Sequence, residues 1–65
     1  MFGIHWLRGR TVVEKQTSDI AALAEVVAVT RRGAGDVGKR HPGNAPDSFK
    51  IFDGVGKEMG QYTLS

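Results

Sequence analysis

The absence of cysteine from a chain of 65 residues constrains this fold more than any other feature of its sequence. A domain near this size buries only about 60% of the surface that its unfolded chain exposes, so its hydrophobic core is thin. Without cysteine, neither a disulfide framework nor a thiolate metal site can compensate for that thin core. We therefore expect a single domain over residues 1–65 that is stabilised by close packing or by self-association.

The overall composition predicts a folded protein of the cytoplasm. Hydrophobic residues make up 40% of the chain and charged residues 25%, values that are typical of globular rather than disordered proteins. No apolar run approaches the roughly 20 residues that span a bilayer. The opening MFGIHWLRGR lacks the pattern of a signal peptide. These features predict a soluble, cytoplasmic protein without a membrane partner.

Large apolar residues occupy every second position of the N-terminal segment, which predicts a strand paired with the one that follows it. Successive side chains of a strand point to opposite faces, and three large apolar residues therefore share one face: Phe2, Ile4 and Trp6. Arg8-Gly9 fits a tight turn because glycine accepts positive φ. A two-residue loop would place Ile4 opposite Val13 and Trp6 opposite Thr11. A longer loop, or a single strand followed by an irregular segment, is the alternative.

The segment TSDIAALAEVVAVTRRG predicts a helix that ends at Gly33. Thr17 or Ser18 can cap its first turn. One apolar stripe follows the spacing of a buried helix face: Ile20, Leu23, Ala24 and Val27. The valine-rich EVVAVT would favour a strand if it stood alone, because β-branched residues pack well on sheets. The caps and the alanines favour the helix.

Residues 33–46 contain four glycines, two prolines and no periodic apolar pattern, which predicts a flexible basic loop. Its GAGDVGK motif has the glycine spacing of both a dinucleotide-binding turn and a P-loop. Both of those sites need a strand before the glycines and a helix after them. Here the glycines follow a helix, and Arg40 stands where a P-loop has Ser or Thr. We therefore predict no nucleotide cofactor.

The C-terminal segment SFKIFDGVGKEMGQYTL predicts a second hairpin with a three-residue Gly-Val-Gly loop. That loop would place Ile51 opposite Met59. A bulge at Gly60 would then return Tyr62 to the face of Met59 and set it opposite Phe49.

The same segment resembles the closing hairpin of small uncharacterised bacterial domains, in which a strand, a glycine-containing turn and a final strand follow an alanine-rich helix. The resemblance implies an α+β fold and no particular function. Two hairpins around one helix give the order ββαββ, with βαββ as the fallback, and the helix would cover one face of an antiparallel sheet. The predicted core contains Phe2, Ile4, Trp6, Val13, Ile20, Leu23, Ala24, Val27, Phe49, Ile51, Met59, Tyr62 and Leu64.

Basic residues concentrate between positions 31 and 41, where Asp36 is the only acidic residue in a chain of net charge +2. Flexible glycines beside these side chains could bind phosphate groups through side chains and loop N–H groups. The plainer interpretation is a solvated loop whose arginines complement the helix dipole. The candidate anion- or nucleic-acid-binding residues are Arg31, Arg32, Lys39, Arg40 and His41.

Partner binding is the leading functional prediction. A thin core, open sheet edges and valines on more than one helix face favour association with a protein partner or with a second copy in a homodimer. Val26 and Val29 lie off the apolar stripe, and Phe52 points away from Ile51. These three residues are the candidate interface, and Phe52 is also the best candidate for stacking on a nucleobase.

Neither metal binding nor catalysis has a supporting constellation in the sequence. His5 and His41 are accompanied by no cysteine and no clustered carboxylates, so we expect no metal. Asp47 and Asp53 flank a strand at opposite ends and cannot easily form a carboxylate pair. The sequence therefore predicts a non-catalytic interaction module. Weak nucleic-acid or anion binding through residues 31–41 is the alternative.

Overall fold

The computed structural model describes residues 1–64 and contains four strands and two helices. The elements, in chain order, are β1 (Phe2–Arg8), β2 (Thr11–Ser18), α1 (Leu23–Arg32), α2 (Ala34–Arg40), β3 (Ser48–Phe52) and β4 (Glu58–Thr63). The strands form one antiparallel sheet in the order β2-β1-β3-β4. The predicted α+β class and both hairpins are confirmed, but two consecutive helices stand where the sequence predicted one.

The first hairpin turns at Gly9 and Arg10, one residue later than predicted. Gly9 has a φ of +61°, which glycine adopts without steric cost. The Asp47 carboxylate accepts the Gly9 N–H at 3.1 and 3.2 Å, and Arg8 donates to the Ala45 carbonyl at 3.0 Å. These bonds fasten the turn to the segment that enters β3.

The register of the first hairpin also differs from the prediction. Trp6 pairs with Glu14 and Ile4 pairs with Gln16, three residues beyond the predicted partners. The later turn accounts for two of these residues, and a bulge at Val13 adds the third. Directly paired residues share a face of the sheet. Polar residues of β2 therefore stand beside the core residues of β1, on the side that the helices cover.

The loop of the second hairpin has the predicted length of three residues. The Asp53 N–H donates to the Lys57 carbonyl at 2.9 Å and closes the loop. The Asp53 carboxylate accepts the backbone N–H groups of Val55 and Lys57 at 3.0 and 2.8 Å. Gly56 has a φ of +91°, which suits the left-handed position that ends such a loop.

The second hairpin contains the predicted bulge, but the extra residue is Met59. Ile51 therefore pairs with Gly60, while Phe49 pairs with Tyr62 as predicted. Met59 is 43% exposed and lies outside the core, which corrects its assignment there. Gly60 leaves room for the ring of Tyr62, since a Cβ at this position would lie 2.9 Å from the Tyr62 hydroxyl oxygen.

Helix α1 begins at Leu23, later than predicted, because β2 continues to Ser18. The later start changes which face of the helix meets the sheet. Val26 and Thr30 are buried there, whereas Ala24 is exposed. The predicted stripe was therefore displaced around the helix axis from the buried face.

Helix α2 occupies seven residues, 34–40, so the prediction of a loop over 33–46 is wrong for this segment. Gly33 caps the end of α1, as predicted, and also precedes α2. Glycine-rich sequences have low helix propensity. The buried Val37 anchors α2 to the core, and such tertiary packing stabilises short helices. The glycines of GAGDVGK thus belong to a helix rather than to a phosphate-binding turn.

The core lies between the helices and one face of the sheet. Its fully buried members are Ile4, Trp6, Val26, Val37, Phe49 and Ile51, and burying a large apolar side chain stabilises a fold by about 1.5–3 kcal/mol. Partly buried residues surround them: Phe2, Ile20, Leu23, Val27, Ala34, Tyr62 and Leu64. Val13, Ala24 and Met59 of the predicted core lie outside this cluster. The prediction missed Val26 and Val37 of this cluster, and also Leu7, which is buried outside it.

Candidate functional site

The basic residues of the predicted anion site do not converge on one surface. Arg31, in the last turn of α1, donates to the Thr63 carbonyl of β4 at 2.7 Å. Arg40, in the last turn of α2, reaches Glu14 on β2. Because β2 and β4 are the two edges of the sheet, these arginines contact opposite sides of the domain.

Glu14 engages two members of the predicted anion site. Arg40 donates from Nε to Oε1 at 3.1 Å and from Nη2 to Oε2 at 2.6 Å, and Nε2 of His41 lies 2.9 Å from Oε1. The bonds from Arg40, followed by that from His41, lower the pKa of Glu14 from 4.5 to about 2. Arg40 and His41 thus fasten the end of α2 to the edge strand instead of standing free for an external anion.

This pairing predicts that the stability of the domain is sensitive to acid. The pKa of Glu14 is lower in the folded state, so its ionised form stabilises the fold above pH 4.5, and that contribution is lost as the pH falls toward about 2. We expect the wild type to lose more free energy of unfolding than Glu14→Gln between about pH 5 and about pH 2. Urea unfolding at a series of pH values measures both losses. Equal losses in the two proteins would contradict the pairing.

The remaining two members of the predicted anion site differ in having side chains without a partner among residues 1–64. Arg32 and Lys39 are exposed, and neither side chain forms a hydrogen bond or ion pair with another residue in the range 1–64. They end different helices. Cations at helix C-termini complement the helix dipole, which accounts for both without a ligand.

The three predicted interface residues separate in the structure. Val26 is 0% exposed and belongs to the core, so its assignment to an interface is wrong. Val29 is 42% exposed on α1. Phe52 is half-buried on β3, on the face of the sheet that points away from the helices. The candidates therefore do not form one continuous surface.

The sheet face that points away from the helices, here called the open face, aligns residues that the sequence analysis left apart. His5 of β1 pairs with Lys15 of β2 on one side and with Lys50 of β3 on the other. Directly paired residues share a face of the sheet. This face is opposite to that of the core residue Ile4, because successive residues along a strand point to opposite faces. Both helices contribute to the core on the other face. No helix within residues 1–64 covers this row, here called the cation row (Lys15, His5, Lys50).

The ring of Phe52 packs against the His5 ring of the cation row. The ring centroids of His5 and Phe52 are 4.3 Å apart, with 43° between the ring planes. Gly3 pairs with Phe52 and has no side chain to fill the surface beside that ring. An open depression of about 340 Å³ results, lined in part by Met1, Gly3, His5, Thr17 and Phe52. Rings on a sheet surface are the platforms on which proteins stack nucleobases.

The positive charge of the open face comes from its lysines. Burial, followed by the charges of Lys15 and Lys50, lowers the pKa of His5 from its ordinary value and so favours the neutral imidazole. Lys15 is exposed. Lys50 lies 3.2 Å from a carboxylate oxygen of Glu58, and an exposed pair of this kind contributes at most about 1 kcal/mol. The ammonium group of Lys15 is thus accessible to an anionic ligand, whereas an anion that binds Lys50 competes with Glu58.

Residues 1–64 contain neither a metal-binding cluster nor a membrane-spanning helix. No group of three or more His, Asp or Glu residues in this range could hold a metal ion. Neither of the two helices in the same range is long and apolar enough to cross a bilayer.

Comparison with known proteins gave no match to a family model, to a curated protein or to a solved structure.

Proposed function

We propose that this domain is a non-catalytic binding module that holds single-stranded nucleic acid on its open face. The observation that carries the proposal is the cation row, with the ring of Phe52 against that of His5. Proteins that bind single strands combine cationic side chains for the backbone with aromatic rings for the bases. The open face has both kinds of group within one surface.

The spacing of the row supports contact with more than one phosphate. Lys15 and Lys50 lie on the strands that flank β1, and neighbouring strands are about 4.8 Å apart, so the two backbone positions are separated by about 10 Å. The depression beside Phe52 gives an unstacked base room next to the rings. Bases within a duplex are already stacked and cannot lie flat on such a platform, which favours single strands.

The charges disfavour the use of this face between two copies of the chain. A symmetric face-to-face dimer would bury the unpaired Lys15 and the Lys50–Glu58 pair of each copy, and removing such charges from water is unfavourable. The phosphates of a nucleic acid would instead pair with these lysines and neutralise their charge. The open face therefore suits a nucleic acid better than it suits a second copy.

Self-association through the outer edge of β2 is the second candidate function. β2 is eight residues long and stands at an edge of the sheet. Its outer side pairs with no other strand within residues 1–64, and edge strands of this kind accept a further strand. Sedimentation velocity at two concentrations tests this candidate. A dimer that grows with concentration would support it, and a monomer at both concentrations would contradict it.

Fluorescence anisotropy with a labelled oligonucleotide of about 10 nucleotides tests the main proposal, since single-strand sites span about 4–16 nucleotides. We expect binding to the single strand that weakens with added salt. Two phosphate contacts predict a log–log salt slope of about −1.4. A hairpin duplex of the same composition is the control. No binding at low salt, or tighter binding to the duplex, would contradict the proposal.

A further inference from the structure

One acidic side chain interrupts the positive charge of the open face. Glu58 of β4 pairs directly with Phe52 of β3, and directly paired residues share a face of the sheet. Its Oε1 atom lies 3.2 Å from Nζ of Lys50, a member of the cation row, which places the carboxylate on the open face. The side chain of Glu58 is 47% exposed. An accessible carboxylate therefore stands on the β4 side of the Phe52 ring.

The carboxylate of Glu58 can accept further hydrogen bonds. Within residues 1–64, Lys50 is the only residue that forms a hydrogen bond or ion pair with it. An ionised carboxylate accepts at about four positions on its two oxygens. The single ammonium group of Lys50 cannot fill all of them, so Glu58 can accept from a ligand as well.

Phe52 has two directly paired neighbours, Gly3 on β1 and Glu58 on β4. Gly3 has no side chain, so Glu58 is the one of the two that can bond the edge of a base stacked on the Phe52 ring. Neighbouring strands are about 4.8 Å apart, a distance that an aromatic base extends across. The chemistry of Glu58 therefore bears on which base this position accepts.

We propose that Glu58 selects guanine at the base position beside Phe52, an inference that rests on the proposed function of the open face. The Watson–Crick edge of guanine carries two adjacent donors, N1–H and the N2 amino group, and a carboxylate accepts two parallel N–H bonds with high geometric specificity. Adenine and cytosine each present one amino group with an acceptor nitrogen beside it. Thymine presents one N–H between two carbonyl oxygens. Those acceptor atoms would face the carboxylate unfavourably.

The charge of Glu58 also favours a base over a phosphate at this end of the open face. A phosphate beside the carboxylate would be repelled, whereas a base is uncharged. A phosphate that pairs with Lys50 competes with Glu58 for the ammonium group. A guanine that donates to Glu58 offsets this competition, because the carboxylate and the ammonium group then both keep a partner.

Fluorescence anisotropy with thymine strands of about 10 nucleotides tests this selection, each strand carrying one central guanine, adenine, cytosine or hypoxanthine. One guanine per strand limits the association of guanines with one another. We expect the guanine strand to bind about five- to tenfold more tightly than the all-thymine strand at low salt. Hypoxanthine keeps the N1–H of guanine and lacks its amino group, so we expect it to lose most of this preference.

Glu58→Gln is expected to abolish the preference for guanine without abolishing binding. Glutamine replaces one carboxylate oxygen by an amino group that cannot accept, and it removes a negative charge that competes for Lys50. The all-thymine strand should therefore bind this variant at least as tightly as the wild type, and the guanine strand should bind it no more tightly than the all-thymine strand does. The matched control is Glu25→Gln, which removes the same charge from an exposed position on α1 and should keep the preference.

Equal affinity of the wild type for all the strands would overturn the selection of guanine and leave the proposed function of the open face intact. A preference that survives in Glu58→Gln, or that is lost equally in Glu25→Gln, would likewise overturn the role of Glu58 alone. Failure of the wild type to bind any of the strands would overturn both proposals.

Discussion

Replacing Val26 by aspartate is expected to unfold the domain, whereas the same replacement at Val29 leaves it folded. Val26 is 0% exposed at the centre of the core, while Val29 is 42% exposed on the same helix. An unpaired carboxylate in the core costs several kcal/mol. A core of this size supplies only about 3–5 kcal/mol of stability. At Val29 the carboxylate stays in water.

The two variants form a matched pair because they exchange the same residue types within one helix, so the change in helix propensity is shared. Far-ultraviolet circular dichroism and urea unfolding measure the outcome. We expect no cooperative transition for Val26→Asp and a free energy of unfolding within about 1 kcal/mol of the wild type for Val29→Asp. A folded Val26→Asp protein of normal stability would show that Val26 is exposed, as its place off the predicted stripe had suggested.

Neutralising both lysines of the cation row is expected to weaken the binding of single-stranded DNA by roughly tenfold or more at low salt. Each phosphate contact on a single strand contributes about −0.7 to the log–log salt slope, so Lys15→Gln/Lys50→Gln should bring the slope close to zero. The variant should still fold, because Lys15 is exposed and the ion pair of Lys50 with Glu58 lies at the surface. Anisotropy titrations at several salt concentrations measure both effects.

The matched control is Arg32→Gln/Lys39→Gln, which removes the same charge from the ends of the two helices. These residues belong to the basic cluster that the sequence first indicated, and they remain exposed in the structure. We expect this variant to retain most of its affinity. A greater loss in Arg32→Gln/Lys39→Gln than in the lysine pair would place binding at the helix ends and refute the role of the open face.

The local sequence patterns were sufficient to predict the two hairpins but not the second helix. The alternation of Phe2, Ile4 and Trp6 set the buried face of β1, and the pairing of Phe49 with Tyr62 followed from the turn and a bulge. Helix α2 has one apolar anchor, Val37, among glycines that oppose helix formation. Its stability comes from packing against the rest of the fold, which no local pattern reveals.

The candidate site could not be predicted from the sequence, because it depends on the register of the first hairpin and on the pairing of strands that are distant in the chain. In the predicted register of the first hairpin, Val12 would stand opposite His5, whereas the later turn and the bulge at Val13 together bring Lys15 there instead. Lys50 joins the row only because β3 pairs with β1, although both helices lie between these two strands in the chain. A slip of register changes which residues meet across a sheet, so local sequence cannot assemble such a row.

The most direct test of the central claim is a map of backbone amide shifts in the folded domain as a single-stranded oligonucleotide is added at low salt. We expect the largest changes on the open face, at and beside His5, Lys15, Lys50 and Phe52, while α1 and α2 change little. Changes confined to the helix ends, or no changes at all, would contradict it.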